Sequence, residues 1–115
     1  MRTYPLYDKS GAMFAFEVDN WVVSPRRLSH LVRSGLGAVV TQGPRGFFSR
    51  EDWRLRFLYA GVEFEVWEPF GDNSRYWIGP VGKSPQRTDA IDDIHNILAN
   101  YKPTVGQRLL SLVRA

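Results

Sequence analysis

The chain has 115 residues, which is the size of one domain and is long enough to bury a core without staples. Its residues are 43% hydrophobic and 14% aromatic, a composition typical of a packed globule rather than a disordered chain. It contains no cysteine, which excludes disulfides, thiolate metal ligands and thiol catalysis. The first eight residues contain no apolar h-region, so we expect no secretory signal, and no apolar run approaches the roughly 20 residues that span a bilayer. We therefore expect a single cytoplasmic domain over residues 1–115 that does not bind membranes.

The charge balance is basic, with a formal net charge of +3 and a sequence pI near 9.5. Arginine supplies 12 of the 15 basic residues. A basic surface is typical of proteins that bind polyanions, but the 12 acidic residues are interspersed with the basic ones. A nucleic-acid partner is therefore one interpretation, and the codon bias of a GC-rich genome is the other.

The first part of the chain predicts a lead-in, a strand and a helix. Residues 1–11 contain Pro5 and Gly11 and are interpreted as irregular. Alternating apolar residues predict a strand over Met13–Val18. Ser24-Pro25 is a helix-start signal, because serine can cap free N–H groups and proline is tolerated in the first turn. Gly35 and Gly37 are expected to end this helix.

The middle of the chain predicts a β-hairpin. A strand is predicted first, over Ala38–Gln42, with a brief resumption at Phe47-Phe48. With Ala60-Gly61 as a two-residue turn, alternation on either side predicts two strands whose register is coherent on both faces. The predicted cross-strand pairs are Tyr59 with Val62, Leu58 with Glu63, Phe57 with Phe64, Arg56 with Glu65, Leu55 with Val66 and Arg54 with Trp67.

The last part predicts a turn, a strand and two helices. The turn covers Pro69 to Asn73, a strand covers Ser74 to Ile78, and Gly79-Pro80 breaks the sheet. A helix that begins near Ser84-Pro85 or Thr88 reaches Tyr101, and a short helix follows between residues 105 and 113.

These elements predict an α+β fold in two layers, with a mostly antiparallel sheet of about four or five strands and helices on one face. The order is β-α-β-β-β-β-α-α. The first strand, helix and second strand form either a crossover or a split arrangement, and the sequence leaves both open.

The candidate binding surface is the sheet face away from the predicted core. Tryptophan and arginine are enriched at binding hot spots, and arginine over tryptophan is a favourable cation–π arrangement. Arg54 is expected across from Trp67, with Arg75 nearby. Acidic residues on the same face favour a protein partner or a second copy over nucleic acid. The predicted site residues are Arg54, Arg56, Trp67, Arg75 and Trp77. The alternative is that Trp67 and Trp77 are buried beneath a loop or the last helix.

A small-ligand binder or an enzyme is a further alternative. Asp92 and His95 are three residues apart and can share a helix face, as in an acid–base pair. A metal site would need further ligands that the sequence does not supply, and no glycine motif for phosphates or dinucleotides occurs. We predict no cofactor, no metal and no catalytic residues, and favour a non-enzymatic binding module.

The segments Ser24-Pro25-Arg26-Arg27-Leu28 and Gly71-Asp72-Asn73-Ser74-Arg75-Tyr76-Trp77-Ile78-Gly79-Pro80 resemble small bacterial proteins of the Burkholderia type. The resemblance extends from Met13 to Pro80. It implies a bacterial cytosolic α+β protein, and it implies no activity and no functional residues.

Overall fold

A computed structural model describes residues 1–45, 53–68, 75–83 and 89–102. The predictions at Phe47-Phe48, at the turn after Pro69, at the helix starts Ser84-Pro85 and Thr88, and over residues 105–113 lie outside the described residues. The described elements, in chain order, are strands β1 (Thr3–Tyr7) and β2 (Met13–Asp19), helix α1 (Pro25–Leu36), strands β3 (Val39–Gln42), β4 (Trp53–Tyr59), β5 (Val62–Trp67) and β6 (Arg75–Pro80), a 3-10 turn (Val81–Lys83) and helix α2 (Ala90–Asn100).

The strands form one sheet in the order β1-β2-β6-β5-β4-β3, with every neighbouring pair antiparallel. The predicted α+β class is confirmed, but the described sheet has six strands rather than four or five. The additional strand is β1, which was predicted as irregular. Its Pro5 is compatible with a strand because β1 is at one end of the described strand order. No further described strand pairs with the outer edge of β1, so a missing N–H on that edge removes no backbone hydrogen bond.

Helix α1 joins β2 to β3 in a split arrangement, one of the two that the sequence left open, because β6, β5 and β4 lie between these strands in the sheet. Successive antiparallel pairings from β2 through β6, β5 and β4 to β3 make β2 and β3 parallel. Helix α1 therefore carries the chain across the sheet from one side to the other.

Local signals explain the limits of α1. The Ser24 hydroxyl accepts a hydrogen bond from the Arg27 N–H at 3.2 Å, and Pro25 occupies the first turn. Gly37, at φ 70°, ends the helix in the left-handed region, and its N–H donates to the Arg33 carbonyl at 2.9 Å. Gly35 does not end the helix, contrary to the prediction. A Cβ atom at Gly35 would lie 3.0 Å from Cδ1 of Ile97, so this glycine allows α2 to pack closely.

The β4–β5 hairpin confirms five of the six predicted cross-strand pairs. Ala60 and Gly61 both have positive φ, 52° and 76°, as a two-residue type I′ turn requires. The sixth pair is wrong: Trp53, not Arg54, lies opposite Trp67, because the register shifts between Trp53 and Leu55. A β-bulge of this kind inserts an extra residue and redirects the side chains beyond it.

Strand β6 is also longer than predicted. Gly79 pairs with Glu65 and Pro80 pairs with Phe64, so the sheet continues through the dipeptide that was expected to break it. Pro80 is the last residue of the strand, where proline is tolerated because few further ladder bonds are lost.

The core lies between the sheet and the two helices, which pack on the same face. The Phe57 and Phe64 rings stack with centroids 5.7 Å apart at the centre of this layer. Side chains from β2 and β6 continue it toward α2. The most completely buried members are Phe16, Val18, Val23, Leu28, Leu55, Phe57, Phe64, Val66, Tyr76, Ile78, Ile94 and Leu98.

Candidate functional site

The sheet face away from α1 and α2 is called the outer face below. Because side chains alternate along a strand, the residues next to the core positions point to this face. By register, its described members include Tyr4, Ala15, Glu17, Asp19, Val39, Trp53, Arg56, Leu58, Glu63, Glu65, Trp67, Arg75 and Trp77.

A row of tryptophans crosses the outer face. Trp53 of β4 pairs with Trp67 of β5, and Trp67 pairs with Trp77 of β6. Trp53 and Trp67 are half-buried, whereas Trp77 is 8% exposed. Strict alternation with Leu55 and Phe57 would place Trp53 on the core face of β4, so the sequence does not predict it as a member of this row. Only the bulge places it in the row.

Two arginines stack on Trp53. The guanidinium carbon of Arg45 lies 3.9 Å from the ring centroid, and that of Arg56 lies 4.9 Å from it. Both distances are within the range of a cation–π interaction. Arg56 also lies 3.6 Å from the Glu65 carboxylate, so its charge is balanced on the same face. Arginine–tryptophan stacking occurs on the outer face, but on Trp53 with Arg45 and Arg56 and not in the predicted pair of Arg54 with Trp67.

Trp77 is a packing residue of the outer face. A Cβ atom on Gly79 would lie 2.5 Å from Trp77 Cη2 and 2.9 Å from the Ala15 Cβ, so the indole covers these two small residues. The sequence left open whether Trp77 is exposed or buried, and the structure shows that it is buried. Trp67 retains partial exposure beside it.

Arg75 interacts with acidic residues of β2 and with an aromatic residue of β1. Its Nη1 donates to Glu17 Oε1 at 3.3 Å, and its Nε lies 4.0 Å from Asp19 Oδ1. Its guanidinium lies 3.5 Å from the Tyr4 ring centroid. Arg75 is two residues before Trp77, the cross-strand partner of Trp67, so its expected proximity to Trp67 stays a prediction, and Glu17 and Asp19 balance its charge.

Arg54 is not a surface residue. The bulge turns it inward, where it is 7% exposed and its Nε donates to Glu68 Oε1 at 2.9 Å. Asn20 Nδ2 donates to the other oxygen of the same carboxylate at 2.5 Å. Arg54 therefore belongs to a buried polar cluster with Glu68 and Asn20, and cannot contact a partner from the outer face.

The histidines lie elsewhere. His30 is exposed on α1. His95 Nε2 is 2.7 Å from the Thr3 hydroxyl, and its ring meets the Phe16 ring edge-on at 5.1 Å. Asp92 is exposed, and within the described ranges no carboxylate is hydrogen-bonded to His95. The described residues also contain no group of three or more acidic or histidine side chains that could hold a metal ion.

Neither helix in the described part of the chain is long and apolar enough to cross a membrane. Comparisons with the models of known protein families, with curated proteins and with solved structures found no match. The resemblance to small bacterial proteins therefore stays a prediction, and a functional interpretation depends on the geometry of the chain itself.

Proposed function

We propose that this protein is a non-enzymatic binding module that binds another protein, or a second copy of itself, through the outer face. Trp67 and Trp53 are the central contacts, with Arg45 and Arg56 beside them. The observation that carries the proposal is the half-buried Trp53–Trp67 pair on the sheet, with two guanidinium groups stacked on Trp53.

The chemistry of this pair fits a protein partner. Tryptophan and arginine are the residues most enriched at hot spots, where a large aromatic surface is desolvated beside a planar hydrogen-bond donor. The Arg45 side chain is exposed and already held against Trp53, so a partner would not need to order it. A partner that covers the pair would gain apolar contact and hydrogen bonds together.

The charges of the outer face favour a protein over nucleic acid at this position. Arg56 is paired with Glu65, and Arg75 lies between Glu17 and Asp19. A phosphate backbone would have to displace these carboxylates or lie beside them, which opposes binding. An interface of mixed sign is typical of protein partners instead.

The alternative of a pocket with His95 and Asp92 has less support. His95 is engaged with Thr3, and its ring packs on Phe16, so these contacts assign it a role in joining α2 to the sheet. Asp92 is exposed, and among the described residues it makes no hydrogen bond to the His95 ring.

The proposal is tested with Trp53→Ala and Trp67→Ala, against Trp21→Ala as the matched control. Trp21 is 47% exposed in the turn between β2 and α1, so the control removes the same side chain outside the sheet. Circular dichroism first establishes that all three variants are folded. Sedimentation velocity over a concentration series then measures self-association, and affinity capture from nuclease-treated native lysate measures binding of other proteins.

We expect wild type and Trp21→Ala to form the same dimer or retain the same discrete protein, and both outer-face variants to lose it. If all four proteins behave alike, the outer face is not the binding surface. If the outer-face variants lose material that is captured only from lysate without nuclease treatment, a nucleic acid holds the complex at this face and the protein-partner proposal is wrong.

A further inference from the structure

A second surface of the chain has a different chemistry. The solvent side of α1 carries Arg26, His30 and Arg33, which follow one another at spacings of four and three residues and so form one stripe. Arg27 lies beside them and is partly exposed. The stripe from Arg26 to Arg33 is about 10 Å long, from a rise of about 1.5 Å per residue.

The positive charge of this stripe is not balanced by acidic neighbours. The sequence of α1 contains no aspartate or glutamate. In the described structure the side chains of Arg26, Arg27 and Arg33 make no ion pair and no side-chain hydrogen bond, unlike Arg54, Arg56 and Arg75 on the sheet. These guanidinium groups therefore keep their donors available to a ligand.

The apolar side of α1 packs in the core and is not accessible to a ligand, so the exposed polar groups determine which ligand the helix can bind. Leu28 and Val32 are buried against the sheet, so the exposed stripe offers guanidinium, imidazole and hydroxyl groups without an apolar centre. A helix that lies on a membrane needs its apolar face free to enter the acyl boundary. A protein interface normally has an apolar core surrounded by a polar rim.

We infer that the exposed stripe of α1 binds the phosphate backbone of a nucleic acid, with Arg26, Arg27 and Arg33 as the phosphate contacts. Arginine suits this role because its planar fork donates two parallel hydrogen bonds to phosphate oxygens. The stripe contacts phosphates and not base edges, so binding is independent of sequence and depends on salt concentration. The surface is separate from the outer face, and the inference does not depend on the proposed protein partner.

The test compares wild type with Arg26→Gln/Arg27→Gln/Arg33→Gln by fluorescence anisotropy, using a labelled single-stranded oligonucleotide of mixed sequence. The matched control is Arg2→Gln/Lys9→Gln/Lys102→Gln, which removes the same formal charge at exposed positions outside α1. Thermal unfolding establishes that each variant is folded. As a readout that needs no variant, amide chemical shifts of wild type are followed during titration with the oligonucleotide.

For three phosphate contacts on a single strand, the logarithm of the wild-type association constant falls against the logarithm of salt concentration with a slope of about −2. We expect the α1 variant to lose most of this slope and at least about tenfold in affinity at low salt, and the control to lose much less. The shift changes should centre on residues 26–33.

The inference is overturned if the α1 variant binds the oligonucleotide as wild type does, or if the control loses as much affinity as the α1 variant. It is also overturned if the shift changes centre outside α1. Phosphatidylserine vesicles and polyglutamate serve as competing probes. Retention of either one by wild type without retention of the oligonucleotide would assign the stripe to a lipid surface or to an acidic protein, and would also overturn it.

Discussion

Breaking the buried ion pair between Arg54 and Glu68 should be the most damaging charge change in the described structure. Their side chains are 8% and 1% exposed, and the closest N–O distance is 2.9 Å. Replacing Glu68 by leucine leaves the Arg54 charge buried without this carboxylate, which costs about 3–5 kcal/mol in comparable cases. It also removes the acceptor of Asn20, and an unsatisfied buried donor costs about 1–3 kcal/mol.

A double substitution separates these contributions. In Arg54→Met/Glu68→Leu both buried charges are gone, and exchange of a buried ion pair for apolar residues is often neutral or stabilising. The loss at Asn20 remains, so we expect the double variant to be less stable than wild type by about 1–3 kcal/mol. It should therefore be more stable than Glu68→Leu alone, and the two single effects should not add.

The assay is urea unfolding followed by tryptophan fluorescence. With a slope of about 2 kcal/mol per M, the two costs of Glu68→Leu, together about 4–8 kcal/mol, lower the midpoint by roughly 2–4 M. Glu17→Leu is the comparison, because its pair with Arg75 has side chains 27% and 40% exposed and such pairs contribute about 0–1 kcal/mol. The reasoning is refuted if Glu68→Leu costs no more than Glu17→Leu, or if the double variant loses the sum of the two single losses.

Three further predictions concern the sheet and its hairpin. Gly79→Ala should cost about 1–3 kcal/mol, because its Cβ would lie 2.5 Å from the Trp77 ring; an unchanged urea midpoint would contradict this packing. Ala60→Asn should raise the free energy of unfolding by about 0.5–1 kcal/mol, since asparagine tolerates the positive φ found there, and Ala60→Val should lower it. The Tyr59 hydroxyl donates to the Asp93 carboxylate at 2.7 Å, and this bond raises the pKa of Tyr59 above its ordinary value of 10.0. The neutral phenol is thus favoured in the folded state, and the contribution of this hydrogen bond to the free energy of unfolding is lost as pH rises above about 10. Above that pH, urea midpoints of wild type should fall more steeply than those of Tyr59→Phe.

The sequence predicted the elements whose pattern is local. The β4–β5 pairs followed from strict alternation around Ala60-Gly61, and the start of α1 followed from Ser24-Pro25. The β1 strand was missed because its pairing with β2 depends on the position of β1 at the edge. That position is a property of the assembled sheet and leaves no alternation signal around Pro5.

The sequence predicted the residue types of the candidate site, but only some of the residues that form it. Arg56 and Trp67 lie on the outer face as expected, but the bulge after Trp53 exchanged that residue with Arg54. No glycine marks this bulge in the sequence, and the buried partners of Arg54 lie far from it along the chain. The burial of Trp77 depends on the small side chains of Gly79 and Ala15, which become neighbours only in the folded sheet.

The strand order has a consequence for how the chain folds. Strands β3 to β6 form a meander of neighbours, and β1 and β2 form their own hairpin, but these two parts meet where Phe16 of β2 pairs with Ile78 of β6. That seam closes a loop of more than half the chain, so its conformational entropy is lost before its contacts are gained. We expect the meander to form early and the seam to form late. Until it closes, β2 and β6 both present open strand edges, and an exchange of the β1–β2 hairpin between two chains would satisfy them as well as closure within one.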